Sequence, residues 1–368
     1  MLTFLFYLPF LLLFGMAAIY GERKVSAFIQ DRLGPMETGY KGMVQTIADL
    51  LKLLQKEDII NSSADKILFR IGPVIIFTAI FAGFAVVPLT SSVSGAAIGT
   101  GVFFLLAVIS LDVIGILMSG WGSNSKFSLF GAMRSVAQIV SYEIPLGLSV
   151  LCVVMLAQSM NLQEISFQQG IFIDRWPGAG LAPAKNFLFG IIGGADITHI
   201  GGILAWNIFR MPLFFLVFLI FFIAGISESN RAPFDLPEAE SELVGGYHTE
   251  YSGFRFAILM LSEYGMMLLI CLLSAILFLG SWNTPFPNIG SLRLADWTSG
   301  TPGTWPGNSW GVFWLLSKTL ALVFLQMWTR WTYPRLRVDQ LMSLSWKYLT
   351  PAALIMIFVT GLWRLWMP

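Results

Sequence analysis

Apolar runs long enough to cross a bilayer recur along the whole of this chain, separated by polar stretches. A hydrocarbon layer needs about 17–25 consecutive apolar residues in a helix. A soluble core does not string such runs one after another. Hydrophobic residues make up 56% of the 368 and charged residues only 12%, too few to solvate that much apolar surface. Lipid offers the backbone no hydrogen-bond partner, and a helix satisfies its own peptide groups. The pattern therefore dictates an all-α, polytopic membrane protein, organised as a single membrane domain over 1–368. About eight transmembrane helices are expected, at about 2–20, 67–88, 98–120, 137–156, 207–226, 256–279, 312–328 and 349–366. The first run lacks a basic flank before it, and Glu22, Arg23 and Lys24 follow it. It reads as a retained helix rather than a secretion signal.

Basic residues between spans set the orientation. Most lie in the segments 21–66, 119–135, 227–255 and 329–348, including Arg23, Lys41, Lys56, Lys126, Arg134, Arg231, Arg330 and Arg335. Those four segments are expected on the cytoplasmic side, with both termini on the outer, periplasmic side. Two long outer segments follow, 161–205 and 281–309. Part of the first, 187–204, is apolar enough to raise a ninth span, but Asp196 and His199 interrupt it. No internal repeat of the inverted-transporter kind is present in the pattern.

The net charge of +1 gives no basic face for nucleic acid. Cys152 and Cys271 are too few for an iron–sulfur cluster and sit in apolar runs. His199 and His248 lie in separate segments without metal-ligand spacing. The chain is expected to bind no cofactor of its own. In the first cytoplasmic segment, 21–66, Gly34–Pro35 and Gly39 mark a turn. Met43, Val44, Ile47, Leu50, Leu51 and Leu54 then form one apolar helix face opposite Gln45, Asp49 and Lys52. Such a helix suits the membrane surface, as an anchor or as the border of an opening for an apolar ligand.

The acidic cytoplasmic loop, 227–255, carries the chemistry. From Glu228 to Gly253 it holds Glu228, Asp235, Glu238, Glu240, Glu242 and Glu250 against one basic residue, Arg231. Clustered carboxylates repel one another, which suits groups that relay protons or respond to a nearby charge. Asp235, Pro237 and Glu238 also fit a helix start, with Asp235 as cap. Arg231 could fix the turn by pairing with a carboxylate. Within expected spans stand Asp112, Glu143, Glu263 and Lys318, each costly in lipid unless paired or hydrated. Pro145, two residues after Glu143, removes a backbone donor and disturbs the helix there. Function is the first reading of such groups, for Glu143 and Glu263 above all, and a structural pairing, of Lys318 with one carboxylate for instance, is the alternative.

Several motifs match one family in order along most of the chain. They are ERK at 22–24, QDRLGP at 30–35, ADLLKLLQKED, WGSNSKFSLFGAMRSVAQIVSYEIP, SNRAPFDLPEAESELVGGYHTEYSG, SEY at 262–264 and PRLRVDQLMSLSWK. The chain resembles the H subunit (subunit 1) of proton-pumping NADH:quinone oxidoreductase, respiratory complex I. It departs near 165–205 and 282–308, which are longer here than in the usual member. The resemblance implies eight spans and a place at the heel between membrane and peripheral arms. It implies partners among the other complex I subunits and quinone as substrate, with iron–sulfur clusters and FMN in partner subunits. By resemblance Arg23, Phe28, Arg32, Arg231, Phe234 and Asp235 line or shape the quinone chamber. Glu143, Glu228, Glu240, Glu242 and Glu263 match carboxylates that link quinone reduction to proton translocation. No transit peptide is evident, so a multi-pass protein of the bacterial cell inner membrane is expected.

Three rival readings remain at this point. One is the membrane subunit of an energy-converting hydrogenase or related complex. Another is an independent ion transporter, which calls for repeats or discontinuous helices. The third is a structural anchor, which leaves Glu143 and Glu263 unexplained.

Overall fold

The computed structural model describes residues 2–96, 98–175, 185–192, 194–236 and 243–367, with backbone alone over 2–6. The described residues are overwhelmingly helical, and their only strands are a two-residue hairpin, Asn288–Ile289 with Leu292–Arg293. In chain order the main helices are α1 (Leu2–Ile29), α2 (Gln45–Gln55), α3 (Lys66–Gly83), α4 (Gly101–Ile109), α5 (Leu111–Gly122) and α6 (Lys126–Ala157). They continue with α7 (Phe214–Glu228), α8 (Gly253–Phe278), α9 (Trp305–Thr332) and α10 (Val338–Trp366), the last containing a π-helical turn at Leu344–Leu349.

Six stretches among the described residues are long and apolar enough to cross a membrane: α3 with its last turn, α4–α5 together, α6, α8, α9 and α10. The chain is thus a polytopic, multi-pass membrane protein. The other two expected spans, 2–20 and 207–226, fall on α1 and α7. The region 207–226 is a broken element. A short helix Asn207–Arg210 stops, Leu213 adopts φ 69°, and α7 then begins at Phe214. Pro212 accounts for the break, because proline disfavours helical geometry in the residue before it. The stretch 187–204 forms short turns, Phe187–Gly190 and Ile197–Ile200, rather than a continuous helix.

α8 is the hub, packing against α1, α3, α7 and α9. Two thirds of its apolar window is buried within the chain (67%), against 22% for α10, which keeps most of its surface for lipid or partners. α3 and α5 make the closest pair. A Cβ on Gly72 would come 3.0 Å from the Ser119 backbone, and one on Gly115 would come 3.0 Å from that of Ile76. Small residues let the two backbones approach, the usual device where lipid gives no hydrophobic drive.

Pro73 and Pro145 sit inside spans without breaking them, and the reason is local. Proline cannot donate to the carbonyl four residues back. Pro73 frees the Phe69 carbonyl, and the Tyr251 hydroxyl donates to it at 3.1 Å. Pro145 frees the Ser141 carbonyl, and Ser345 Oγ donates to it at 2.6 Å. Each helix continues because a hydroxyl from a distant segment takes the missing donor's place.

The segments 21–66, 119–135, 227–255 and 329–348 gather at one end of the bundle. Arg255 pairs with Asp58 at 2.9 Å, Asn124 donates to the Ser63 carbonyl, and Leu336 N–H donates to the Pro233 carbonyl. At the opposite end Val102 N–H meets the Met160 carbonyl, Asn283 donates to the Ser166 carbonyl, and Gly201 bridges Pro287. The two long segments 161–205 and 281–309 therefore fold against each other. Lys318 belongs to this end. Among the described residues it meets no carboxylate; its Nζ donates to the Ser281 and Asn283 carbonyls at 2.9 and 2.6 Å and lies over the Trp206 ring.

Candidate functional site

At the end where the basic segments gather, two cavities adjoin. The first, about 720 Å³, is largely apolar. Leu8, Leu12, Met16 and Ile19 of α1, Leu50 and Leu53 of α2, and Phe254, Ala257, Ile258 and Leu261 of α8 form its walls. Glu22, Arg23, Arg32, Asp49, Tyr264 and Arg330 supply its polar groups. The second, about 1080 Å³, is bounded by Lys56, Asp235, His248, Thr249, Tyr251, Arg330 and Arg335. Leu53, Phe256, Met260, Arg330 and Trp331 line both, so the two are divided only by a shared wall.

α2 forms one side of the apolar cavity, but with Thr46, Asp49, Leu50 and Leu53 rather than with the apolar face expected from periodicity, of which only Leu50 lines it. Leu50 and Leu53 turn toward the cavity, while Ile47, Leu51 and Leu54 stay about half exposed on the outer face. Arg23 Nη1 pairs with Asp49 of α2 at 2.6 Å, and Gln45 donates to the other Asp49 oxygen, which ties α2 to the end of α1.

Past the first apolar run stands the strongest electrostatic feature, one that local sequence pattern does not single out. Glu22 is buried and accepts from Arg231 Nη1 at 3.1 Å, from Arg330 Nη1 and from the Tyr264 hydroxyl at 2.6 Å. The Arg231 guanidinium also lies 4.2 Å from the centre of the Tyr264 ring. Burial pushes the Glu22 carboxyl up, but Arg231, Arg330 and the Tyr264 hydroxyl outweigh it and hold the group below the ordinary carboxylate range. Arg231 does pair with a carboxylate, though with one from the first cytoplasmic segment rather than its own loop.

The residues expected at the chamber are distributed as follows. Arg23 and Arg32 line the apolar cavity and Asp235 the polar one, where it pairs with Arg335 at 3.0 Å. Arg231 stands behind Glu22 and lines neither. Phe234 is buried against Tyr142, ring centres 5.3 Å apart, as part of the core. Phe28 is 88% exposed and lines neither cavity. Glu238, Glu240 and Glu242 lie outside the described residues, as does most of the helix start expected at Asp235.

The in-membrane carboxylates form a second group. Glu263 Oε1 meets His248 Nε2 at 2.8 Å and accepts from the Tyr247 hydroxyl at 3.2 Å. Asp112 lies within electrostatic reach of Glu263, and Glu228 within reach of both Asp112 and Glu143. Glu228 Oε2 and Asp112 Oδ1 are buried and make no hydrogen bond among the described residues. Glu143 contacts Ser110 Oγ, whose hydroxyl also faces the Leu106 carbonyl at 2.9 Å, at the break between α4 and α5. One hydroxyl proton cannot serve both acceptors, so the Ser110 contacts depend on whether Glu143 carries a proton. Four carboxylates from α5, α6, α7 and α8 are thus linked in turn by electrostatic reach, and Glu263 meets His248 of the polar cavity.

The turn Gly246–His248 is seated by Gly131 of α6. A Cβ there would lie 2.7 Å from Gly246 Cα and 2.9 Å from Tyr247 N, both backbone atoms that cannot swing aside. Gly131→Ala is expected to displace the turn, cost about 1–3 kcal/mol of stability and slow turnover. Thermal melting and activity of the assembled complex check this; wild-type values for both would show that the turn yields.

The comparisons agree with this architecture. The family model described as NADH dehydrogenase matches residues 2–361. A relative from Cytophaga hutchinsonii, the second of the H subunits named for NADH-quinone oxidoreductase there, is 58% identical over the full length of both chains. The corresponding H subunit of Chlorobium luteolum is 49% identical, covering 98% of this chain and 88% of that one. That of Bacillus thuringiensis is 44% identical over 94% of this chain and 87% of its own. Matches of that extent to proteins of one name leave a single assignment: the chain belongs to the H-subunit family of NADH-quinone oxidoreductase, respiratory complex I.

Proposed function

We propose that this chain forms the chamber through which quinone reaches its site of reduction, and that its carboxylates couple that reduction to proton translocation. The observation that carries the reading is the apolar cavity between α1, α2 and α8, which ends on Glu22, Tyr264 and Arg330 and adjoins the polar cavity. An isoprenoid tail matches apolar walls, and a polar head matches the charged end. The basic end of the bundle then faces the cytoplasm and the peripheral arm, both termini face outward, and the membrane is the bacterial inner membrane. Eight spans fit this arrangement, α1 and α7 being the two beyond the six. Quinone is the substrate, while iron–sulfur clusters and FMN belong to peripheral-arm partners. Arg23, Arg32 and Asp235 contact the chamber, and Arg231 supports it from behind.

Coupling follows from charge. Reduction of quinone by two electrons places negative charge at the cavities and draws protons. A charge added there raises the cost of charge on neighbouring carboxylates, and in a low-dielectric interior that cost is large. The file Glu263, Asp112, Glu228 and Glu143 would carry the response into the membrane arm, with Glu240 and Glu242 nearer the quinone.

Filling the apolar cavity tests the chamber. Ala257→Trp is expected to raise KM for a long-tailed quinone about tenfold and to affect a short-tailed analogue much less. Equal kinetics with both quinones would remove the cavity from the substrate path.

A further inference from the structure

Glu263 lines neither cavity. His248 lines the polar one, is 5% exposed, and places Nε2 2.8 Å from Glu263 Oε1. The imidazole therefore touches both the cavity and Glu263. We propose that His248 is a proton relay between the polar cavity and Glu263. The inference rests on the coupling role of Glu263 and adds the residue that loads it.

The geometry favours transfer over simple packing. The ring is held on its faces and edge by Tyr247, ring centres 3.7 Å apart, and by Phe256, edge-on at 6.1 Å. The Tyr247 hydroxyl donates to the same Glu263 oxygen that faces Nε2. That oxygen is thereby fixed at hydrogen-bond distance from a ring nitrogen, the first requirement for proton transfer. Histidine is the side chain whose ordinary titration range spans neutral pH, so it can take and give a proton there. In the transfer, the proton on Nε2 passes to Glu263 while Nδ1, a buried atom on the ring's other side, takes a proton delivered from the cavity. The ring remains neutral overall, and exchange of its tautomer through cavity water resets it. Around the ring stand Tyr247 and Glu263, and across the cavity Lys56, Asp235, Arg330 and Arg335.

Intact complex carrying His248→Gln, His248→Ala or Glu263→Gln, reconstituted in vesicles, separates the possibilities. Glutamine retains an amide donor toward Glu263 but cannot relay. Both His248 variants are expected to lower coupled proton translocation about a hundredfold, and added imidazole is expected to restore His248→Ala. Wild-type translocation in His248→Gln would overturn the relay and leave a hydrogen-bonding role. A loss in His248→Ala that imidazole does not mend would also overturn it, as a packing defect. Normal translocation in Glu263→Gln would instead overturn the coupling reading itself.

Discussion

Glu22→Gln is expected to destabilise the protein by about 3–5 kcal/mol and to abolish quinone reduction in whatever complex assembles. The buried carboxylate is shared by Arg231 and Arg330 and receives the Tyr264 hydroxyl. Removing its charge leaves the guanidinium groups to repel each other in a place that water reaches poorly, and this dominates over the bonds lost. Tyr264 and Arg330 line the apolar cavity, so the same change deforms the charged end of the chamber. The pH dependence has a definite sign. The folded-state pKa of Glu22 is depressed, so its contribution to stability is fully present above the unfolded carboxylate value. That contribution is lost as pH falls through the folded value, below the ordinary carboxylate range. Melting temperature measured down an acid series should fall more steeply for wild type than for Glu22→Gln, whose curve starts lower and is flatter. Coincident curves would mean that the arginines are held by something other than Glu22.

The sequence displayed both members of this ion pair in its motifs, yet Glu22 and Arg231 are 209 residues apart and nothing in local spacing joins them. The same limit explains the other differences. Hydropathy marks the part of a helix that meets lipid, so 137–156 was legible while the helical extension back to Lys126 was not. Pro145 reads as a helix disturbance until Ser345 is seen to replace the lost donor. Lys318 reads as half of an ion pair because carbonyls that turn inward carry no sequence signature. Periodicity made α2 legible as an amphipathic helix but not which side meets the cavity, since Asp49 lines it while Ile47, Leu51 and Leu54 are exposed. Arg23, Arg32 and Asp235 fell at the cavities, while Phe28 and Phe234 did not, since an aromatic in a motif serves packing or partners as readily as a ligand.

Glu228→Gln is expected to behave in the opposite way to Glu22→Gln, with proton translocation falling more than tenfold while melting is unchanged or higher. Glu228 is buried, Oε2 makes no hydrogen bond among the described residues, and its charged neighbours Glu143 and Asp112 are both acidic. A buried carboxylate among like groups stabilises nothing by being charged, so a neutral amide of the same shape removes repulsion. Its presence is explained by what a change of charge there does to Glu143 and, through Asp112, to Glu263. Glu143→Gln should reproduce the loss, because Ser110 then faces an amide that cannot exchange a proton with it. Initial rates of NADH oxidation by quinone and of vesicle acidification, read on the same preparations, decide the matter. Wild-type acidification per NADH in Glu228→Gln would exclude it from the coupling path. A parallel loss of melting temperature and acidification would place Glu228 with Glu22, among carboxylates that hold the fold. The two kinds of buried acid in this chain are thus separable by experiment: one is surrounded by cations and keeps the chamber in shape. The other is surrounded by its own kind and gains its use from being unstable when charged.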